Sequence, residues 1–239
     1  MKDFNFSPIG IISSCYKEKF GIPRQPGLVP AAKAELILDE QFGEECVRGL
    51  EGFSHIWLSF VFSETQAQGW KPMVRPPRLG GNAKVGVFAS RSTFRPNALG
   101  LSAVELVKID TQSSNISLHL VGCDLLDGTP VLDIKPYLPY ADIIPNAKGA
   151  FAQNRPEALL EVSFSDDALT QCEQFSKRLD CDLIVLITQI LQLDPRPSYQ
   201  RLNKKIENNN RIYAMKLYDF DLKWQCRDNN KIKVIGLNY

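Results

Sequence analysis

Residues 86–97 read GVFASRSTFRPN, and residues 75–82, shortly before them, read RPPRLGGN. Between Glu64 and Glu105 there is no carboxylate, whereas Lys71, Arg75, Arg78, Lys84, Arg91 and Arg95 all fall inside. All 27 acids therefore lie outside that window. A contiguous field of one sign is how a chain of net charge +1 attracts phosphates or carboxylates. Arginine grips such groups in one orientation through paired hydrogen bonds. Pro76 and Pro77 stiffen the loop, and Gly80-Gly81 admits a ligand close to the backbone. A solvated basic face is the weaker alternative, because six cations without a compensating acid would repel one another there.

Other chemistry lacks its residues. There is no G-x-G-x-x-G after a strand, no P-loop, no G-x-S-x-G and no H-E-x-x-H. Two histidines, His55 and His119, and six scattered cysteines without a C-x-x-C pair give no zinc site and no disulfide framework. Reduced, mostly buried thiols in a cytoplasmic protein are expected. His119 reads as an exposed strand residue and His55 as a structural one. The first residues, MKDFNFSPIG, carry no secretory pattern, and no apolar run is long enough to span a bilayer. A soluble protein without a membrane partner is expected.

The elements that must position the basic window are short strands. Residues 6–13, 35–38, 55–62, 85–90, 103–109, 116–122 and 131–134 are β-branched or aromatic runs bounded by Gly and Pro, the pattern of a barrel or sandwich. Strand 85–90 would deliver Arg91, Ser92, Thr93 and Arg95 at its end. A short helix is expected at 43–50. Composition changes across 145–156, PNAKGAFAQNRP, which reads as a linker. Beyond it Ser165 caps a helix with Leu169, Cys172, Phe175 and Leu179 on one face, and a second helix covers 181–193. Residues 220–227 alternate, Asp228-Asn229-Asn230 turns, and 231–237 returns, a hairpin that buries Trp224. The chain thus divides into an N-terminal β domain over 1–145, a linker over 146–160 and a small α+β C-terminal domain over 161–239.

The run GVFASRSTFRPN fits G-x-F-x-x-R-x-x-x-R-P-N and resembles the signature of the TsaA-like family. YKEKFGIPRQPG (16–27), VRGLEGFSHIW (47–57), VRPPRLGGN (74–82), DLLDGTP (124–130) and DIKPYLPY (133–140) are similar to the rest of that domain. LDPRPSY (193–199) and the hairpin beyond it resemble the C-terminal domain of the family's bacterial TrmO (YaeB) branch. The resemblance runs in order along nearly the whole chain. It implies a mainly β fold, with a single-sheet β-barrel carrying a small α+β domain, and a homodimer with S-adenosyl-L-methionine bound near its interface. It also implies methylation of the exocyclic nitrogen of N6-threonylcarbamoyladenosine beside the anticodon of threonine tRNA, without a metal.

Matched motif by motif, the cofactor pocket would comprise Pro23, Arg24, Gln25, Ser63, Glu64, Arg91, Leu101, Asp124, Leu125, Leu126 and Asp127. Arg91 suits a carboxylate, Asp124 or Asp127 suits hydroxyl or amino donors, and Leu101 offers apolar surface. The attacking nitrogen carries a proton that must leave, so an acceptor is expected near it. Asp133 is the candidate, with Lys135 and Tyr137 orienting the modified base; the alternative is that Asp133 only holds a turn. RNA would meet Arg75, Arg78, Lys84, Arg95 and Asn97. The loop 194–199, with Arg196 and Tyr199, followed by Arg201, Lys204, Lys205 and Arg211, is a second candidate contact or an ordinary solvated loop. A non-catalytic RNA-binding β-barrel, or a small-molecule methyltransferase, is the competing reading.

Overall fold

A computed structural model describes residues 3–80, 82–158, 160–196, 211–228 and 230–238. Alternation of apolar and polar residues builds the first layer. β1 (Gly10–Ser14), β2 (Lys33–Leu38) and β3 (His55–Val61) each turn every second side chain inward. The helical turn α1 (Ser63–Gln66) and a two-residue ribbon, β4 (Met73–Val74) with β5 (Val85–Gly86), follow. β6 (Leu99–Asp110), β7 (Ser117–Val121) and β8 (Pro130–Pro136) complete a closed barrel in the order β1-β2-β7-β6-β3-β8, antiparallel throughout. Closure leaves no free sheet edge. Ile12, Leu36, Ile56, Leu58, Val104, Leu118, Leu120 and Val131 fill its interior.

The antiparallel order sets where the loops emerge. β1, β3 and β7 end, and β2, β6 and β8 begin, at the same end of the barrel. The connections 15–32, 62–98 and 122–129 therefore open together. Gly122 fastens two of them. It sits at φ +69°, and a side chain there would press on Gly27 Cα at 3.2 Å. The Gly27 N–H donates to Gly122 O at 2.8 Å, and the Gly122 N–H donates to Ala32 O at 2.9 Å. Only glycine accepts both the left-handed backbone and that approach without strain.

After α2 (Pro139–Asp142) and a short 3₁₀ turn, β9 (Glu161–Phe164) enters the second unit. α3 (Asp166–Leu179) starts at Ser165, whose side chain accepts from Ala168 N–H, and α4 (Leu183–Gln192) starts at Asp182, which accepts from Val185 N–H. β10 (Ile212–Leu217), β11 (Phe220–Asp228) and β12 (Lys231–Asn238) form a sheet ordered β10-β11-β12-β9, with β9 parallel to β12. Trp224 is fully buried there, between Phe20 and Tyr213 in stacked contacts. Phe20 comes from the 15–32 loop, and Cys15, Tyr16, Val29 and Ala32 of that loop also sit in this second core. The segment read as a linker is tied at both sides: Arg155 donates to Gly27 O at 2.9 Å, and Arg78 donates to Asn154 O at 2.5 Å.

Two local expectations fail. The strand placed at 85–90 stops at Gly86 and becomes a 3₁₀ turn, Val87–Ala89. Its ladder partner, β4, has two residues, and Val87 O is taken by Ser90 N–H and Ser90 Oγ, which closes the turn. The helix at 43–50 is instead two 3₁₀ turns, Glu44–Cys46 and Leu50–Gly52, separated by Gly49 at φ +85°. Five cysteines are buried free thiols and Cys46 is an exposed one.

Candidate active site at one end of the barrel

Every residue expected to hold the cofactor, except Leu101, lies in the three loops at the open end. Pro23, Arg24 and Gln25 are on the first, Ser63, Glu64 and Arg91 on the second, and Asp124 to Asp127 on the third. The loops are joined by polar contacts. Arg91 Nη1 donates to Gln25 Oε1. Lys19 Nζ donates to Glu64 O at 3.0 Å, and Lys17 Nζ pairs with Asp127 Oδ2 at 2.7 Å. An open cleft of about 490 Å³ lies among Lys17, Lys19, Phe20, Glu64, Leu126 and Asp127.

Asp124 is the unusual group. Ser102 Oγ donates to its Oδ1 at 2.7 Å from an inward position of β6. Burial raises its pKa to about 6, against the opposing pull of the Ser102 bond and the Arg91 charge. It therefore changes charge near neutrality beside a guanidinium. Ser102 escaped the sequence reading, yet it left a signal: a polar residue at an inward position of an alternating strand that continues with Val104 and Leu106.

Two members of the expected set have structural duties. Leu125 is buried, and its carbonyl accepts from Ser14 Oγ at 2.9 Å. Asp127 Oδ1 accepts from Ser14 N–H at 2.9 Å, capping the end of β1. Leu101 stands apart, 55 % exposed on the outer face of β6, because the strand alternation that turns Ser102 inward turns Leu101 out.

Asp133, Lys135 and Tyr137 do not join the loop end of their own chain. β8 begins at that end and carries them away along its length at roughly 3.3 Å per residue. Asp133 lies opposite Ser59, whose other neighbour is Leu101. Lys135 Nζ pairs with Asp133 Oδ2. The Tyr137 ring packs 5.7 Å from Trp57 and 6.2 Å from His55. Trp57 Nε1 in turn donates to Asp142 Oδ2 at 3.0 Å. The structure thus gives one group of site residues at the barrel end and a second on the outer face.

The basic residues divide as well. Arg75 and Lys84 are exposed, following the register Val74 to Val85 on the β4–β5 ribbon, and Asn97 is exposed before β6. Arg95 instead bends back onto its own loop, donating to Ser90 O at 2.7 Å and Val87 O at 3.3 Å. It organises the 87–95 turn. Arg196, expected at an RNA contact, is buried at 4 % exposure. Its Nε and Nη2 hold the Asp194 carboxylate at 2.7 and 2.8 Å, and Nη1 reaches Cys226 Sγ at 3.3 Å. A guanidinium so enclosed serves the C-terminal core. Tyr199, Arg201, Lys204 and Lys205 lie outside the described residues. Arg211 is placed over the Tyr213 ring at 5.1 Å.

A small barrel with its two longest loops on one end, joined to a compact α+β unit, is a defined class. Residues 11–143 match the family model of the tRNA-methyltransferase O N-terminal domain, and residues 157–239 match that of the TrmO C-terminal domain. The chain belongs to the tRNA-methyltransferase O family. It is 48 % identical over 95 % of both chains to a tRNA (adenine(37)-N6)-methyltransferase of Escherichia coli. It is 44 % identical to a putative S-adenosylmethionine-dependent methyltransferase, RcsF, of Pseudomonas aeruginosa, over 97 % of this chain and 96 % of the relative. The crystal structure of TrmO from Pseudomonas aeruginosa superposes with a TM-score of 0.83 at 38 % identity, covering 100 % of this chain and 99 % of that one.

Proposed function

We propose that this chain is an S-adenosylmethionine-dependent tRNA methyltransferase that methylates N6 of the adenosine at position 37. The observation that carries the reading is the convergence of three loops on one barrel end, where Arg91, Gln25 and Asp124 meet, in a chain similar over nearly its whole length to enzymes named for that activity. The residues at that end suit the cofactor by their chemistry. A guanidinium complements its carboxylate, and a half-buried carboxylate complements its hydroxyl or ammonium donors. S-adenosylmethionine supplies a methyl group already activated on a sulfonium, so the protein's task is mainly alignment.

We further propose that the substrate adenosine carries an N6-threonylcarbamoyl group and belongs to threonine tRNA. In that base the lone pair of N6 is delocalised into ring and carbonyl, and its proton must pass to an acceptor as the new N–C bond forms. Asp133 takes that proton, with Lys135 and Tyr137 orienting the base. The assignment includes a homodimer. Leu99 and Leu101 on β6, with Ile143 and Ile144 beyond α2, are exposed apolar side chains on the outer surface. In the proposed dimer a second copy is seated there with its loop end toward Asp133. Pro23, Arg24, Gln25, Ser63, Glu64, Leu126 and Arg91 are proposed to line the cofactor, and Arg75, Lys84 and Asn97 to face RNA. Buried free thiols agree with residence in the reducing cytoplasm, and the chemistry proposed needs no metal.

Incubation with methyl-labelled S-adenosylmethionine and total tRNA tests the reading. Label should enter RNA, and Arg91→Ala should lose both the label and cofactor binding, by tenfold or more. Intact cofactor binding by the wild type without transfer would indicate a non-catalytic RNA-binding barrel instead.

A further inference from the structure

The β4–β5 ribbon and the turns around it, residues 70–95, present large apolar side chains to water. Trp70 is 56 % exposed, Met73 52 % and Phe88 77 %. Scattered exposed apolar residues need no explanation, but here they share a segment that has no carboxylate of its own. The register orders them. Met73 faces Gly86 and Val74 faces Val85 in an antiparallel pair. Trp70 and Phe88 consequently fall at one end of the ribbon, and Arg75 and Lys84 at the other. Backbone bonds continue the aromatic end: Val87 N–H donates to Pro72 O at 3.0 Å, and Lys71 N–H to Phe94 O at 3.2 Å. Between the two ends lies a groove of about 400 Å³ edged by Lys71, Arg75 and Lys84, with the Lys71 ammonium 4.3 Å from the centre of the Phe94 ring. The Arg95 guanidinium, held by the loop carbonyls, lies 5.9 Å from the Phe88 ring and helps fix it in place.

We infer that this ribbon is a platform for unpaired RNA, on which Trp70 and Phe88 stack bases while Lys71, Arg75 and Lys84 hold the phosphates between them. The inference rests on the reading of the chain as a tRNA-modifying enzyme. Cations alone would bind duplex and single strand alike. Bare rings beside them select bases that are already unstacked, as in an anticodon loop, since the faces of paired bases are covered. Neither Trp70 nor Phe88 is among the residues proposed to line the cofactor, although both stand on the connection that carries Arg91.

The test compares a labelled twelve-nucleotide single-stranded RNA with a twelve-base-pair RNA duplex. Trp70→Ala and Phe88→Ala should each weaken single-strand binding roughly tenfold and leave duplex binding within about twofold. Trp70→Phe should retain most of the affinity, and Lys84→Ala should weaken both ligands. Cofactor binding by calorimetry should be unchanged in every variant, which reports an intact fold. The inference is overturned by wild-type single-strand affinity in the alanine variants or by equal losses on duplex. It is also overturned by a change of oligomeric state in sedimentation, which would place the rings in a contact between copies. If the alanine variants methylate tRNA with the wild-type KM, the platform is wrong and the enzyme reading stands. A wild-type protein that neither binds nor methylates RNA would remove the enzyme reading itself.

Discussion

Asp124 and Arg91 lie within reach of each other's charge at the barrel end. Burial brings the Asp124 titration up to about 6. Its folded value exceeds its unfolded one, so the native state holds the proton more tightly. Between the two values stability from this group falls as pH rises. Binding has the opposite sign, because a ligand that donates to the carboxylate needs it ionised. Cofactor affinity should therefore drop as pH falls below about 6, approaching tenfold per unit, and Asp124→Asn should bind weakly with no such dependence; calorimetry across pH 5 to 8 checks both. Arg91 stood out in the sequence as part of the acid-free basic window, whereas Asp124 was legible only through the family resemblance. Arg196 was not legible, because its burial follows from Asp194 two residues away and Cys226 thirty away. An arginine beside Pro in a loop reads as exposed until the strand that encloses it is known.

At the scale of elements, the barrel strands were legible because each buries one face, so apolar side chains recur at every second position in β2, β3 and β7. β9 was not anticipated. Its four residues pair in parallel with β12 some seventy positions later, and nothing local marks a strand whose partner is so distant. The site itself depends on loops rather than strands, and Gly122 is where two of them are joined. Gly122→Ala forces a side chain into the left-handed region and against Gly27. It should cost about 1–2 kcal/mol in urea unfolding. It should also weaken cofactor binding, because Pro23 to Gln25 can no longer be held beside Asp124. A variant that unfolds earlier yet binds the cofactor normally would separate loop fastening from the site.

Across the whole molecule, the two units share one buried region. Tyr16, Phe20, Val29 and Ala32 of the first barrel loop sit in the core that holds Trp224, and Tyr16 bridges to Leu217 of β10. The loop that packs there also carries Pro23, Arg24 and Gln25. The C-terminal unit therefore buttresses the site as well as extending the surface, and a division at a polar linker understates how closely the halves are coupled. Calorimetry should show a single unfolding transition, and cofactor should raise its midpoint. Two separated transitions would contradict that coupling. The central claim concerns the reaction, and nucleoside mass spectrometry of threonine tRNA incubated with the protein and S-adenosylmethionine tests it most directly. The account predicts that N6-threonylcarbamoyladenosine at position 37 gains one methyl group on N6. Unchanged nucleoside, under conditions where a known enzyme of the family methylates it, would contradict the account.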